Sequence, residues 1–91
     1  MEFTLWTDPV KNYKAAPLLW PASDKWEEGE VDFPEGNLSG TATAYNHKVG
    51  DPSKNDVEIQ TGAKLADKHV YAIVRFPLFH GHSGWGSART V

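Results

Sequence analysis

Glu30-Val31-Asp32-Phe33-Pro34-Glu35 alternates acidic and apolar residues, the two-residue period of a strand with one dry face and one wet face. Val31 and Phe33 point one way, Glu30 and Asp32 the other. Glu35 breaks the phase, because a residue five positions after Glu30 lies on the opposite face of a regular strand. A β-bulge adds one residue and restores the phase. Pro34 stands where that residue belongs, since proline inside a sheet is confined largely to edges and bulges. The stretch therefore predicts a bulged strand carrying three carboxylates on one face.

The same period recurs on either side. Glu2 to Trp6 places Phe3 and Leu5 together, and Ala15 to Trp20 is a short apolar run closed by Pro21. Thr41 to His47 sets Ala42 and Ala44 against Thr43, Tyr45 and His47, and Val57 to Thr61 alternates again. In His69 to Phe76 the residues Val70, Ala72, Val74 and Phe76 form the expected buried face. Turn-forming stretches separate these runs: Asp8-Pro9, Pro21 to Glu28, Gly36 to Gly40 and Gly50 to Ser53. Ala63 to Lys68 is the best helix candidate. The pattern predicts an all-β fold, an antiparallel β-sandwich or part of one. A single β domain is expected over residues 1–78, with 79–91, rich in Gly and His, as a loop or tail.

Composition narrows the function classes. The chain has 91 residues and a net charge of −3 with both signs interspersed, so nothing resembles the basic patch that binds nucleic acid. No apolar run reaches the roughly 18 residues of a membrane span, and no apolar leader follows Met1-Glu2. With no cysteine, disulfides and thiolate chemistry drop out. The four Trp, three Tyr and four Phe are numerous enough to serve both a core and a binding surface.

Glu30, Asp32 and Glu35 repel one another, so their clustering needs a reason. Residue types alone leave three uses open: a solvated acidic face, a calcium site built from the same oxygens, or retaining glycoside hydrolysis, which needs two carboxyls about 5–5.5 Å apart. Two tryptophans precede the strand. Trp20 ends an apolar run and is expected in the core. Trp26, inside Ser23-Asp24-Lys25-Trp26-Glu27-Glu28, is expected to be exposed, where an indole face suits the apolar face of a sugar.

Leu18-Leu19-Trp20-Pro21, Ser23-Asp24, Trp26 and Gly29-Glu30-Val31-Asp32-Phe33-Pro34-Glu35-Gly36 together resemble glycoside hydrolase family 16, the laminarinases, lichenases and related β-glucanases. The likeness extends through Gly40-Thr41, Tyr45-Asn46-His47 and His69 to Ile73, over residues 13–73. It implies a two-sheet jelly roll with a β-glucan cleft, a secreted protein, and no cofactor or metal. It also implies Glu30 as nucleophile, Glu35 as acid/base, and Asp32 as the residue between them that tunes the pair. Trp20, Trp26 and His47 fall at substrate-binding positions of the cleft. The family domain is longer than this chain, and past Ile73 the pattern departs into Val74-Arg75-Phe76-Pro77 and Gly/His-rich sequence. A partial sandwich is therefore expected, with a catalytically inactive, glucan-binding or self-associating domain as the alternative to an active hydrolase. A homodimer or higher oligomer would cover the missing surfaces.

Other signals are weaker. His80-Gly81-His82 offers two imidazoles without a third ligand and reads as a solvated tail. Asn37-Leu38-Ser39 is a glycosylation sequon. His69, opening a strand, is expected to be a hydrogen-bonded structural histidine.

Overall fold

A computed structural model describes residues 1–77 and 83–90 of the chain. Eight strands follow in order: β1 (Glu2–Leu5), β2 (Lys14–Ala15), β3 (Leu18–Leu19), β4 (Val31–Asn37), β5 (Thr41–His47), β6 (Asn55–Lys64), β7 (His69–Pro77) and β8 (Ser83–Thr90). One turn of 3-10 helix, Trp26–Glu28, precedes β4, and the described residues contain no α-helix. Every strand pairing is antiparallel, so the protein is all-β. One sheet runs β1-β7-β8; the other runs β2-β4-β5-β6, with β3 also pairing with β4.

The apolar run from Ala15 to Trp20 divides into β2 and β3 because Pro17, lacking an N–H, cannot continue a ladder as a donor. Its carbonyl still accepts the Phe33 N–H at 3.0 Å, so both pieces stay on the edge of β4. On the other side, β4 pairs with β5 through Asp32 opposite Tyr45 and Glu35 opposite Thr43. Three steps along β4 thus match two along β5. That is the bulge expected at Pro34, whose side chain is fully buried. The β4–β5 turn is tight enough that a Cβ on Gly36 would lie 2.4 Å from the Thr41 carbonyl oxygen.

Where one face of a strand is wet and the other dry, the alternation was a true record of orientation. Val31, Phe33, Ala42 and Ala44 point into a core shared with Leu65, Tyr71 and Ile73, and Phe3, Leu5 and Leu19 pack against it. Alanines on β5 leave the interior volume to Phe33 and Tyr71, whose rings meet edge to face at 5.3 Å and join the two sheets. Such a contact adds about 0.5–1.5 kcal/mol to the burial of the rings themselves.

Four expectations need correction. On β7 the core face is Tyr71 and Ile73, not the Val70 face: Val70 and Ala72 are half-buried and Val74 is 40% exposed. The side chain of Phe76 lies outside the described residues. Ala63 to Lys68 is not a helix but the end of β6 and a turn. Pairing wins there: Lys64 stands opposite Thr41, the Leu65 N–H donates to the Gly40 carbonyl, and Leu65 is fully buried. Val57 and Ile59, expected on a half-buried strand, are 39% and 42% exposed. Finally, Ser83–Thr90, expected as tail, is a strand paired along β7 from Tyr71 to Pro77. Phe79, His80 and His82 lie outside the described residues.

Candidate functional site

Strand β4 positions the site through its outward face. Cross-strand partners share a face of the sheet, so Asp32 opposite Tyr45, and Glu35 opposite Thr43, project away from the core. Glu30 sits just ahead of β4, where its carbonyl accepts the His47 N–H at 2.9 Å. The bulge does what the spacing called for: Glu30, Asp32 and Glu35 line one depression together with Ala16, Leu18, Tyr45, His47 and Asn55.

At its centre lies a histidine–carboxylate cluster. His47 Nε2 is 2.9 Å from Asp32 Oδ2 and 3.5 Å from Glu30 Oε1. The other ring nitrogen, Nδ1, is 2.8 Å from the carbonyl oxygen of Pro52, on the turn between β5 and β6. A carbonyl oxygen only accepts, so Nδ1 carries a hydrogen and donates it. The Trp26 ring stands 6.0 Å from the imidazole, tilted at 57° to it. Although it faces away from the core, Asp32 is buried at 5% exposure, the buried charged side chain among the described residues.

Electrostatics follow from this packing. Burial pushes the Asp32 carboxyl up; the His47 hydrogen bond pulls it back, and Glu30 and Glu35 add to the rise, which leaves it raised from its ordinary value. For His47, burial works against the charged ring. The Pro52 carbonyl, the Asp32 hydrogen bond and Glu30 outweigh it, so the imidazole keeps its proton to a higher pH than usual. One donor atom from each of Glu30, Asp32 and His47 lies within 4.8 Å of the other two.

Two further depressions adjoin this one. The first, shared through Glu30, is lined by Leu19, Trp20, Pro21, Glu28 and Gly29. The second, shared through Glu35 and Tyr45, is lined by Lys14, Gly36, Asn37, Gly40, Thr41 and Thr43. Glu30 and Glu35 thus each line two of three adjoining depressions, a groove with Trp20 at one end and Lys14 at the other.

Trp20 is not a core residue. It is 45% exposed, and its Nε1–H donates to Asp24 Oδ1 at 2.8 Å, a bond that holds the indole face open beside Glu30. Asp24 reaches it from a left-handed backbone conformation (φ 61°), which Asp tolerates better than most residues. Trp26 is exposed as expected, at 42%, but it borders His47 and not the groove end that holds Trp20.

Sequence reasoning missed Lys14, Asn55, Asp24 and the Pro52 carbonyl. Tyr45 was within reach, because it shares the phase of Thr43 and His47 on β5. For the Pro52 carbonyl and Asn55 no signal existed, since their place depends on how the turn after His47 folds back. His69, expected as a structural histidine, packs its ring against Tyr71 at 6.0 Å. Compared with protein-family models, with curated proteins and with solved structures, the chain matches none of them.

Proposed function

We propose that the groove binds β-glucan, β-1,3 or mixed β-1,3/1,4, and cleaves it internally with retention of configuration. The observation that carries this reading is the bulge at Pro34, which puts Glu35 on the face of Glu30 and Asp32. A solvated acidic strand has no use for such a device. Glu30 attacks the anomeric carbon, and the bond to the leaving oxygen breaks as Glu35 gives that oxygen its proton. Glu35 then takes a proton from water, whose oxygen displaces Glu30 and restores both carboxyls. Support also comes from the exposed, hydrogen-bonded Trp20 beside Glu30, a platform for the apolar face of a sugar, and from the family resemblance of the motif that contains both.

The test is a reducing-sugar assay on soluble β-glucans, with proton NMR of the first-formed product to identify its anomer. Release of β-configured reducing ends supports the reading; initial release of the α-anomer removes Glu30 as nucleophile. A second reading, a glucan-binding or self-associating domain without turnover, is favoured by the exposure of Val57 and Ile59 on β6. Oligosaccharide binding measured by calorimetry in the absence of any hydrolysis selects it.

A further inference from the structure

Of the cleft residues, His47 has the most constrained surroundings and no role yet assigned by the proposed chemistry. Its Nδ1 is spoken for, because the Pro52 carbonyl opposite at 2.8 Å can only accept. The neutral ring therefore presents a bare lone pair at Nε2. That lone pair would face Asp32 Oδ2 at 2.9 Å, and two acceptors do not approach so closely without a hydrogen between them. Either Nε2 carries the proton as imidazolium or Asp32 carries it as a carboxylic acid. In both cases the pair holds one proton and has no net charge.

We propose that His47 is a positioning residue that shares a single proton with Asp32 and thereby sets both the place and the charge of the carboxylates around it. The consequence falls on Glu30. With the shared proton present, Glu30 faces a neutral pair, with Nε2 at 3.5 Å from its Oε1. Once the proton is lost, the pair beside Glu30 carries a net negative charge and the hydrogen bond that held Asp32 turns into a repulsion between acceptors. The rise in both titrations, described above, agrees with a retained proton.

Charged groups surround the pair from each packed element. From β4, Glu30 and Asp32 act on His47, and Glu35 acts on Asp32. On the turn that carries Pro52, Asp51 and Lys54 pair with each other at 3.5 Å. Opposite His47 on β6 stands the neutral Asn55. Glu27 and Glu28 flank Trp26 in the 3-10 turn, and Ser23 Oγ donates to the Glu28 carboxylate.

Histidine-selective ¹⁵N NMR of the full chain tests the shared proton without reference to catalysis. His47 is expected to keep Nδ1 protonated at every pH and to titrate at Nε2 only, above the ordinary histidine midpoint of about 6.5. Asp32→Asn lowers that midpoint. His47→Gln serves as a second variant, in which the Asp32 carboxyl, followed by ¹³C, shifts its own titration. A neutral His47 with Nε2–H as its main tautomer, or a midpoint unmoved by Asp32→Asn, overturns the proposal. So does a His47 resonance displaced by micromolar calcium or zinc, which would make the cluster a cation site.

The effect on Glu30 rests on the proposed glucanase reading and has its own arm. On an aryl β-glucoside whose leaving group departs without protonation, kcat is expected to fall at high pH as the pair loses its proton. His47→Gln removes that limb and lowers kcat by about 10- to 100-fold, the scale of a displaced catalytic group, with KM within about twofold. An unchanged alkaline limb in His47→Gln refutes the positioning role. Absence of any hydrolysis refutes the glucanase reading, and with it the effect on Glu30, while the NMR result still decides the shared proton.

Discussion

At the residue scale, the cluster around β4 links chemistry to protonation. If Glu30 is the nucleophile, Glu30→Gln lowers turnover of glucan by about 10⁴-fold or more, because an amide cannot form the glycosyl intermediate. Glu35→Gln lowers it by about 10²–10⁴-fold, and less on substrates whose leaving group needs no proton. Steady-state assays of the two variants on glucan and on an aryl glucoside check this; wild-type rates in Glu30→Gln exclude it from the mechanism. Protonation also reaches stability. Asp32 and His47 both titrate above their ordinary values, so the folded chain holds these protons more tightly than the unfolded chain. The stabilisation from His47 is complete below about 6.5 and is lost as pH rises through its folded value; the Asp32 contribution has the same sign, complete below about 3.9 and lost as pH rises through its raised folded value. Melting temperature is therefore expected to fall between pH 6 and pH 8, and His47→Gln should flatten that slope. A melting curve flat across this range in the wild type would falsify the linkage.

At the element scale, what was legible in the sequence depended on whether a strand had one wet face. In β4 and β5 it did, and the phase of Val31-Phe33 and of Ala42-Ala44 located the core. Even the bulge was legible, because a carboxylate out of phase and a proline beside it have few other uses. On β7 both faces are apolar, with Val70, Ala72 and Val74 on one and Tyr71 and Ile73 on the other. Alternation then carries no phase, and only the partner sheet decides which face is buried. Ala63 to Lys68 misled for a related reason: local propensity is a weak force next to a ladder and a buried Leu65. Trp20 misled because its own loop supplies the acceptor for its N–H, a contact set by backbone geometry at Asp24 and invisible in the apolar run. The β4–β5 hairpin yields a test of this element-level account. Gly36→Ala would drive a Cβ into the Thr41 carbonyl, so strand or turn must shift, at a cost of about 1–3 kcal/mol. For a chain of this size that lowers the melting temperature by about 5–20 °C. Gly40→Ala meets only Asn37 at an ordinary 3.5 Å and should change it by little. Equal melting temperatures for the two variants would remove the close approach as the reason for glycine at 36.

At the scale of the whole molecule, the two sheets do not cover each other fully. The β5–β6 register places Ile59 opposite Ala44 and Val57 opposite Asn46, and partners across a ladder share a face, so Ile59 lies on the side of the sheet that builds the core. Yet Ile59 is 42% exposed and Val57 39%, while Ala44, one strand inward, is buried. Burial stops between β5 and β6. Among the described strands β6 also ends its sheet, so one row of backbone donors and acceptors along it has no partner in the ladder. Apolar side chains and an open strand edge on the same element are what a second chain can satisfy together, by pairing edge to edge and extending the core across the contact. Val74, exposed on β7, adds apolar surface on the other sheet. The expected outcome is a homodimer or higher oligomer at micromolar concentration, with a sedimenting mass at least about twice the 10.1 kDa of one chain. Ile59→Lys supplies the decisive variant. Because Ile59 is not part of the buried core cluster, the substitution should leave the β circular-dichroism signal intact while it returns the chain to a monomer. A wild-type chain that sediments as a single 10.1 kDa species refutes self-association. An Ile59→Lys chain that stays oligomeric moves the contact away from β6.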